Sequence, residues 1–237
     1  MKLLTNVQAK RLDRIALKKH SKTGQSLMKN AGRCVADLAM TLLENVQNPK
    51  ILVICGKGNN GGDGFAAASI LKDNYNVHIH TLTLEKGISG ESLKYLLECK
   101  KKGVFISFCL ETQKKQSPDL IIDGLFGTGL SRPISPEVFN YIRWINQSNS
   151  KVLAIDIPSG LDGDTGEVGS IALKADKTIT FGYPKLGMIL KKGPEYCGEI
   201  IKKDIGLPSV SETELGGINW IKFSENKCKE ILKKPEL

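Results

Sequence analysis

The sequence has no long run of hydrophobic residues. No apolar stretch approaches the roughly 20 residues that a membrane-spanning helix needs. The first residues, Met1 to Asn6, pass directly into a polar helical pattern, so neither a secretory signal nor an amphipathic transit peptide is expected. The composition therefore excludes a membrane partner and favours a globular protein of the cytoplasm.

Closely spaced cysteines are also missing. The six cysteines contain no Cys-x-x-Cys pair, which argues against a disulfide framework and against a thiolate metal site. His78 and His80 alternate on a predicted strand, but no third ligand lies near them in sequence, so we interpret them as ordinary strand side chains near the surface. The cysteines, read as reduced core residues, are Cys34, Cys55, Cys99, Cys109, Cys197 and Cys228.

Aromatic residues make up only 6% of a chain whose net charge is +9. The lysines are spread along the whole chain, and their short clusters contain no interleaved aromatic residues that could stack on bases. This pattern predicts a solvated basic surface with a mild attraction for anionic small molecules, and no nucleic-acid partner.

Short apolar runs alternate with helical patterns along most of the chain. Runs of this kind, followed by glycine, are typical of strands buried on both faces of a parallel sheet. The predicted strands are 51–55, 77–84, 104–108, 120–122, 152–155 and 178–181, and the predicted helices are 5–19, 26–44, 65–72, 91–101 and 136–146. The order predicts a three-layer αβα Rossmann-like fold, with a mostly parallel central sheet and two extra N-terminal helices.

The last part of the chain has a weaker pattern. Met188–Leu190 and Glu199–Lys203 are predicted as short strands, perhaps an antiparallel edge. We place one domain over residues 1–208 and a C-terminal tail or linker over residues 209–237, where polar and lysine-rich sequence follows.

A glycine-rich segment, Gly56–Gly64, follows the first predicted strand. Gly56, Gly58 and Gly61 satisfy the G-x-G-x-x-G pattern of dinucleotide-binding folds. An ordinary dehydrogenase is disfavoured, because the expected acid after the second strand is missing and Asp63 would repel a pyrophosphate. The alternative is a tight turn without a ligand. Since the segment has more glycine and asparagine than one turn requires, a ligand loop is the favoured interpretation.

Two further predicted strands end in a carboxylate. One ends at Asp123, before a Gly-Thr-Gly turn, and the other ends at Asp156, before Ile157-Pro158-Ser159-Gly160. The carboxyl ends of parallel strands are where open α/β sheets bind their ligands. Either carboxylate could instead cap its own loop. Both lie near the glycine-rich segment in the predicted fold, which favours one shared pocket.

Five motifs, in order, make the chain resemble the NAD(P)H-hydrate epimerases, also called the YjeF N-terminal domain family. They are the two N-terminal helices with Leu12-Asp13 and Ser26-Leu27-Met28, the segment 58–64, the segment 123–130, the segment 156–162, and Phe181-Gly182-Tyr183-Pro184-Lys185 with Thr165-Gly166 upstream of it. The resemblance implies a repair isomerase for hydrated NADH and NADPH. Such an enzyme interconverts the R and S epimers, so that an ATP- or ADP-dependent dehydratase can restore the cofactor.

The resemblance also implies the site residues. The residues expected to bind the hydrated dinucleotide are Asn59, Asn60, Gly61, Gly62, Asp63, Gly127, Thr128, Gly129, Leu130, Ser131, Arg132, Pro133 and Asp156. Asn60, Asp123 and Ser159 are expected to bind potassium, and their hard oxygen ligands suit such a cation. Asp156 is expected as the catalytic acid–base group, and Lys185 as a supporting donor or general acid.

Several wider expectations follow from the same resemblance. The dehydratase partner can be a separate protein, or it can be fused to this domain, since the residues near 218–234 resemble the lead-in to such a fusion. Relatives also imply a homodimer. Two other functions stay open at this stage: a non-catalytic nucleotide-binding or protein-interaction module that uses the same pocket, and a nicotinamide-dependent oxidoreductase.

Overall fold

The computed structural model describes residues 2–20, 26–108, 118–129, 133–211 and 213–216. Its helices, numbered α1 to α6, are Asn6–His20, Leu27–Leu42, Asn59–Leu71, Gly90–Lys101, Pro136–Asn146 and Gly193–Cys197. Its strands, numbered β1 to β7, are Lys50–Cys55, Asn76–Thr81, Phe105–Ser107, Leu120–Gly124, Lys151–Ile155, Lys177–Phe181 and Glu199–Lys203.

The seven strands form one sheet in the order β3-β2-β1-β4-β5-β6-β7, and each neighbouring pair is parallel. From β1 the chain builds outward to β3, then crosses back and builds the other half from β4 to β7. The strand order therefore reverses between β1 and β4. A crevice at such a switch point is the expected ligand site of an open α/β sheet.

Two apolar layers cover the sheet. The helices α2, α3 and α4 pack on one face, with Phe65, Leu71 and Leu96 among its fully buried residues. The helix α5 packs on the other face through Tyr141 and Ile142. Both faces are covered, which explains why the central strands consist of continuous apolar runs. The predicted α/β fold class is confirmed.

The N-terminal helices begin where the sequence predicts. Thr5 precedes α1, and Gln8 Oε1 accepts the Thr5 N–H at 2.9 Å while Thr5 Oγ1 accepts the Gln8 N–H at 3.3 Å, which is a capping box. Ser26 caps α2 by accepting the Lys29 N–H at 3.1 Å. These short-range signals fix both starts independently of the sheet.

Four sequence predictions about element bounds and types are wrong. The helix α3 begins at Asn59 rather than at Phe65, so most of the glycine-rich segment is helical. The second strand ends at Thr81, and the predicted strand 188–190 is replaced by a 3₁₀ turn over Leu186–Met188. The strand β7 exists but pairs parallel to β6, because the short helix α6 carries the chain back across the sheet.

The histidines and cysteines also have defined places. His80 is buried, with Nδ1 2.7 Å from Tyr141 Oη, so its predicted surface position is wrong, whereas His78 is partly exposed beside Phe105. Cys55, Cys99 and Cys197 are buried free thiols and Cys34 is a partly exposed one; Cys109 and Cys228 lie outside the described residues. Within the described ranges, no three His, Cys, Asp or Glu side chains are arranged to bind a metal. In that same part of the chain, no helix is long and apolar enough to cross a membrane.

The start of α3 lies so close to the end of β1 that the helix backbone at Gly61 has no room for a side chain. A Cβ on Gly61 would lie 1.9 Å from the Gly56 carbonyl oxygen, whereas a Cβ on Gly58 would meet no described atom within 4 Å. We expect Gly61→Ala to lower the free energy of unfolding by about 3 kcal/mol or more, because the clash is with backbone. Gly58→Ala, the matched control, should change it by less than about 1 kcal/mol. Urea unfolding followed by circular dichroism measures both, and equal effects would contradict the packing described here.

Candidate functional site

The candidate site lies where the order of the strands reverses. The ends of β1 and β4 are joined there by a hydrogen bond from the Gly56 N–H to the Gly124 carbonyl at 3.0 Å. The helix α3 begins three residues after Gly56, and a Cβ on Gly124 would lie 2.9 Å from the Asn60 carbonyl oxygen. Glycine at these positions therefore lets the first turn of α3 lie directly on the ends of two strands.

Asn60 and Ser159 meet at the backbone of Phe126. Asn60 Nδ2 donates to the Phe126 carbonyl at 2.9 Å, and the Phe126 N–H donates to Ser159 Oγ at 2.9 Å. Asn60 Oδ1 is buried and has no hydrogen-bond partner among the described residues. A buried carbonyl oxygen without a donor is uncommon in folded proteins, and it indicates a bound water or ion.

Asp123 is fully buried beneath this contact. Its Oδ1 accepts hydrogen bonds from Ser159 Oγ at 2.6 Å and from the Leu125 N–H at 3.1 Å, and its Oδ2 accepts the Ser159 N–H at 2.8 Å. Burial raises the pKa of Asp123 to about 6, although the hydrogen bonds from Ser159 and Leu125 oppose that rise. At neutral pH the site thus combines a mostly ionised carboxylate, a hydroxyl and the unpaired amide oxygen of Asn60. Such an oxygen set suits a hard cation.

Asp156 and Lys185 form a second group at the carboxyl end of β5. Lys185 Nζ donates to Asp156 Oδ1 and, at 3.0 Å, to Thr180 Oγ1. The lysine side chain is 4% exposed, whereas the Asp156 side chain is 20% exposed. The ammonium group is therefore enclosed, and the carboxylate lies between it and the solvent.

The backbone of Asp156 has the left-handed conformation, with φ +66°. Its N–H donates to the Ile179 carbonyl of β6 at 2.7 Å, which holds the turn against the neighbouring strand. Aspartate and asparagine tolerate this conformation better than other residues with a Cβ, although it still costs energy. Strained residues of this kind are often found at functional sites.

Asp63 and Asp13 lie within electrostatic range of the pair. Burial raises the pKa of Asp63 well above its usual value, the charges of Asp156, Asp13 and Glu91 raise it further, and Lys185 opposes them. Burial therefore shifts Asp63 toward its uncharged form, which weakens the repulsion of an anion that the sequence indicates. Burial also raises the pKa of Asp13 to about 6, with the charge of Asp156 adding to the rise and Lys185 opposing it.

The remaining predicted ligand residues occupy different surroundings. Asn59 is exposed at the first position of α3, whereas Gly61 and Gly62 are buried and serve close packing. Gly127 and Thr128 are partly exposed, and a Cβ on Gly127 would lie 3.4 Å from the Asn60 Cβ. Gly129 and Pro133 are exposed, and Leu130, Ser131 and Arg132 lie outside the described residues. The binding role of this whole set stays a prediction.

Sequence reasoning missed two residues of the site. Thr180, which bonds the Lys185 ammonium group, is one of several polar residues in a predicted buried strand, so nothing singled it out. Asp13 belongs to a recognised N-terminal motif, but no role was assigned to it because α1 is far from the other motifs in sequence. Two signals could have identified them. Thr180 is a polar residue near the carboxyl end of a buried strand, and Asp13 is an acid next to the apolar side of a helix.

The amino-acid sequence is similar to those of several known proteins. The chain is 35% identical over 207 residues to the NAD(P)H-hydrate epimerase of Oenococcus oeni, with 86% of this chain and 96% of that protein covered. It is 32% identical over 209 residues to the NAD(P)H-hydrate epimerase of Rhodopirellula baltica, with 86% and 84% covered.

Longer relatives match as well. The bifunctional NAD(P)H-hydrate repair enzyme Nnr of Dictyoglomus turgidum is 35% identical over 231 residues, which are 93% of this chain but only 44% of that protein. The chain thus spans less than half the length of this bifunctional relative.

A solved structure has the same fold. The crystal structure of the yeast protein ynu0, YNL200c, superposes with a TM-score of 0.70 at 18% identity, and covers 96% of this chain and 98% of that one. The family described as "YjeF-related protein N-terminus" matches residues 24–187, which include the start of α3, Asp123, Asp156, Ser159 and Lys185. The chain belongs to the YjeF N-terminal domain family.

Proposed function

We propose that this protein is an isomerase that interconverts the R and S epimers of hydrated NADH and NADPH. The observation that carries the proposal is the enclosed Lys185 ammonium group paired with the solvent-facing Asp156, beside the start of α3. The names of the Oenococcus oeni and Rhodopirellula baltica relatives support it, since each is aligned over most of its own length.

The pocket suits a substrate with a pyrophosphate. Gly58 precedes α3 without a capping side chain, so the backbone N–H groups at the start of the helix are available to donate hydrogen bonds to an anion. Burial raises the pKa of Asp63, which weakens one source of repulsion. The neighbouring segment Gly127–Gly129 is the second proposed contact with the dinucleotide, together with Pro133 and residues 130–132.

The reacting carbon of the hydrated nicotinamide bears both a hydroxyl group and the ring nitrogen. Departure of the hydroxyl group gives an iminium-like centre, and addition of water to the other face gives the opposite epimer. A positioned acid–base group accelerates both steps. In this proposal Asp156 exchanges the proton, while Lys185 holds the carboxylate in place through its hydrogen bond to Oδ1.

A monovalent cation, potassium, is the proposed cofactor. Three groups fit such an ion because each supplies an oxygen ligand: Asn60 Oδ1, the Asp123 carboxylate and the Ser159 hydroxyl. Among the described residues no group donates a hydrogen bond to the buried Asn60 Oδ1. When bound, the ion supplies positive charge next to the carboxylates and phosphates.

The wider setting is also part of the proposal. A dehydratase specific for the S epimer is the functional partner, and the bifunctional relatives suggest that the two activities can be joined in one chain. We further propose a cytoplasmic homodimer, as the family resemblance implies.

Asp156→Asn tests the catalytic assignment. Asparagine keeps the left-handed turn and can still accept a bond from Lys185, but it cannot exchange a proton. We expect the rate of epimerisation to fall by a factor of about 10² to 10⁴, with dinucleotide binding retained. The measurement is HPLC of a purified R or S epimer of hydrated NADH over time, corrected for spontaneous epimerisation, with binding followed by calorimetry.

Asp176→Asn is the matched control, because Asp176 accepts the Val152 N–H at the opposite end of the same sheet. That variant should keep the wild-type rate. A wild-type protein that binds the dinucleotide but does not exceed the spontaneous rate would refute the epimerase and favour a binding or regulatory module. An active Asp156→Asn variant would refute only the role of Asp156.

Asn60→Ala tests the cation. Potassium that binds the folded protein should raise the melting temperature of the wild type by about 2–4 °C for each kcal/mol of binding energy, relative to choline chloride at equal ionic strength. The shift should disappear in Asn60→Ala, which lacks the unpaired Oδ1. It should persist in the control Asn59→Ala, whose side chain is exposed. An equal shift in both variants would place the cation elsewhere.

A further inference from the structure

The Lys185 ammonium group has two acceptors, which come from different parts of the sheet. It donates to Asp156 Oδ1, directly after β5, and at 3.0 Å to Thr180 Oγ1, near the end of β6. An ammonium group only donates hydrogen bonds, whereas a hydroxyl group can accept them and also donate its own hydrogen. The Thr180 hydroxyl therefore keeps its hydrogen for a further contact.

That contact closes a ring of three side chains. Thr180 Oγ1 donates to Asp156 Oδ1 at 3.4 Å, so the ammonium group and the hydroxyl group both donate to the same carboxylate oxygen. The other oxygen, Asp156 Oδ2, has no hydrogen bond to any described residue, and the side chain is partly exposed. One oxygen of the carboxylate is thus engaged by the protein, and the other is left for a ligand that approaches from solvent.

The hydroxyl group of Thr180 is held in a fixed place. Thr180 is fully buried, and its strand is paired on both sides, with β5 and with β7. A β-branched side chain also has a restricted χ1 angle. The preceding residue, Ile179, accepts the Asp156 N–H at 2.7 Å. The strand β6 therefore fixes the turn of Asp156 through its backbone and the ammonium group through Thr180.

A second threonine on β6 has a purely structural contact. Thr178 is also fully buried, and its hydroxyl donates to the Cys197 carbonyl of α6 at 2.7 Å. The two threonines are two residues apart, so they lie on the same face of the strand. Among the described residues, the Thr180 hydroxyl bonds only to the two side chains of the proposed catalytic pair.

We infer that Thr180 is a positioning residue of the epimerase site: it holds the Lys185 ammonium group on Asp156 Oδ1, so that Asp156 Oδ2 exchanges the proton. This inference rests on the proposed function. Rotation of the carboxylate would break both bonds to Oδ1, so the ring of three side chains opposes it. Acid–base groups act efficiently only in a defined geometry, and a misplacement of about 1 Å can cost about 100-fold in rate.

The atoms balance when Oδ2 alone exchanges the proton. In the first step the carbon–oxygen bond of the hydrate breaks, Oδ2 gives its proton to the departing oxygen, water leaves, and the ring nitrogen lone pair forms the iminium bond. In the second step water adds to the other face, its released proton passes to Oδ2, and the iminium electrons return to nitrogen. The ammonium group and the Thr180 hydroxyl lose no proton in either step.

Thr180→Val tests this role, because it removes the hydroxyl group and keeps a similar side-chain shape. We expect kcat for hydrated NADH to fall by about 10- to 100-fold, since Asp156 and Lys185 are no longer held in one arrangement. KM should change by less than about threefold, because no proposed substrate contact is altered. Thr180→Ser keeps a hydroxyl group and should recover part of kcat. HPLC of a purified epimer at several concentrations measures both constants.

Thr178→Val is the matched control, since it removes a bonded hydroxyl group from the same face of the same strand. It should lower the melting temperature about as much as Thr180→Val does, because each loses one buried hydrogen bond. Its kcat should equal that of the wild type. Equal losses of kcat in the two variants would indicate a structural effect and overturn the inference, as would a wild-type kcat in Thr180→Val.

A double variant tests whether the effect passes through the lysine. In Lys185→Met no ammonium group is left to be positioned. Adding Thr180→Val to that variant should therefore lower kcat by a much smaller factor than it does in the wild type, which is the non-additivity expected of residues in contact. The same factor in both backgrounds would overturn the inference.

The ammonium group can also be observed without turnover. Because Lys185 Nζ is enclosed and bonded, its hydrogens should exchange slowly with solvent and give a ¹H–¹⁵N signal, assigned by its loss in Lys185→Met. Exchange should be faster in Thr180→Val and unchanged in Thr178→Val. A wild-type Lys185 signal that exchanges as fast as those of exposed lysines would overturn the inference, even if a variant fails to fold.

Failure of the proposed function gives a different result. A wild type that does not exceed the spontaneous rate of epimerisation would refute that function, and the catalytic role of Thr180 with it. An active wild type whose kcat does not depend on Thr180 would refute only the inference.

Discussion

The enclosed ion pair between Lys185 and Asp156 is the constraint on which the site depends. An ammonium group removed from water needs a bonded carboxylate, and breaking a buried pair by removing one partner costs about 3–5 kcal/mol. Three separate elements meet to satisfy this need: the strained turn after β5 supplies Asp156, β6 supplies Thr180, and the loop after β6 supplies the lysine. The N-terminal strand-like segment at Leu4 then fixes the backbone on both sides of Lys185. These contacts hold Asp156, the proposed acid–base group, in one position.

A second constraint is the lack of space at the reversal of strand order. The backbone of α3 lies directly on the ends of β1 and β4, and a side chain at Gly56 or Gly61 would collide with backbone oxygens at 2.0 Å or less. This close approach brings Asn60 to Phe126 and Asp63 into range of Asp156. Gly56 and Gly61 are thus required because the backbones of α3, β1 and β4 pack so closely. The same packing leaves uncapped N–H groups at the start of α3, and these are the proposed contacts with a phosphate.

Carboxyl groups are present in both parts of the site, the group around Asp123 and the pair of Asp156 and Lys185. Asp123, Asp63 and Asp156 lie near the carboxyl edge of the sheet, and burial raises the pKa of Asp123 to about 6 and that of Asp63 well above its usual value. Lys185 compensates one carboxylate, and a cation at Asn60 and Asp123 would compensate another. Burial of Asp63 further limits the negative charge there, because it disfavours the ionised form of that side chain.

The sequence alone determined the features that depend on local physics. The central strands were recognisable because strands buried on both faces are continuously apolar, and the starts of α1 and α2 followed from Thr5 and Ser26, whose side chains bond within their own first turns. Asp123 and Asp156 were recognisable at the ends of predicted strands, and the family resemblance added Asn60, Ser159 and Lys185 as expected site residues. Only the tertiary structure decided that α3 begins inside the glycine-rich segment, that β7 runs parallel, and that Thr180 bonds the Lys185 ammonium group. The reason is physical: a strand's direction, the position of a helix's first turn against two strand ends, and the partner of a buried ammonium group all arise from contacts between separate elements of the fold.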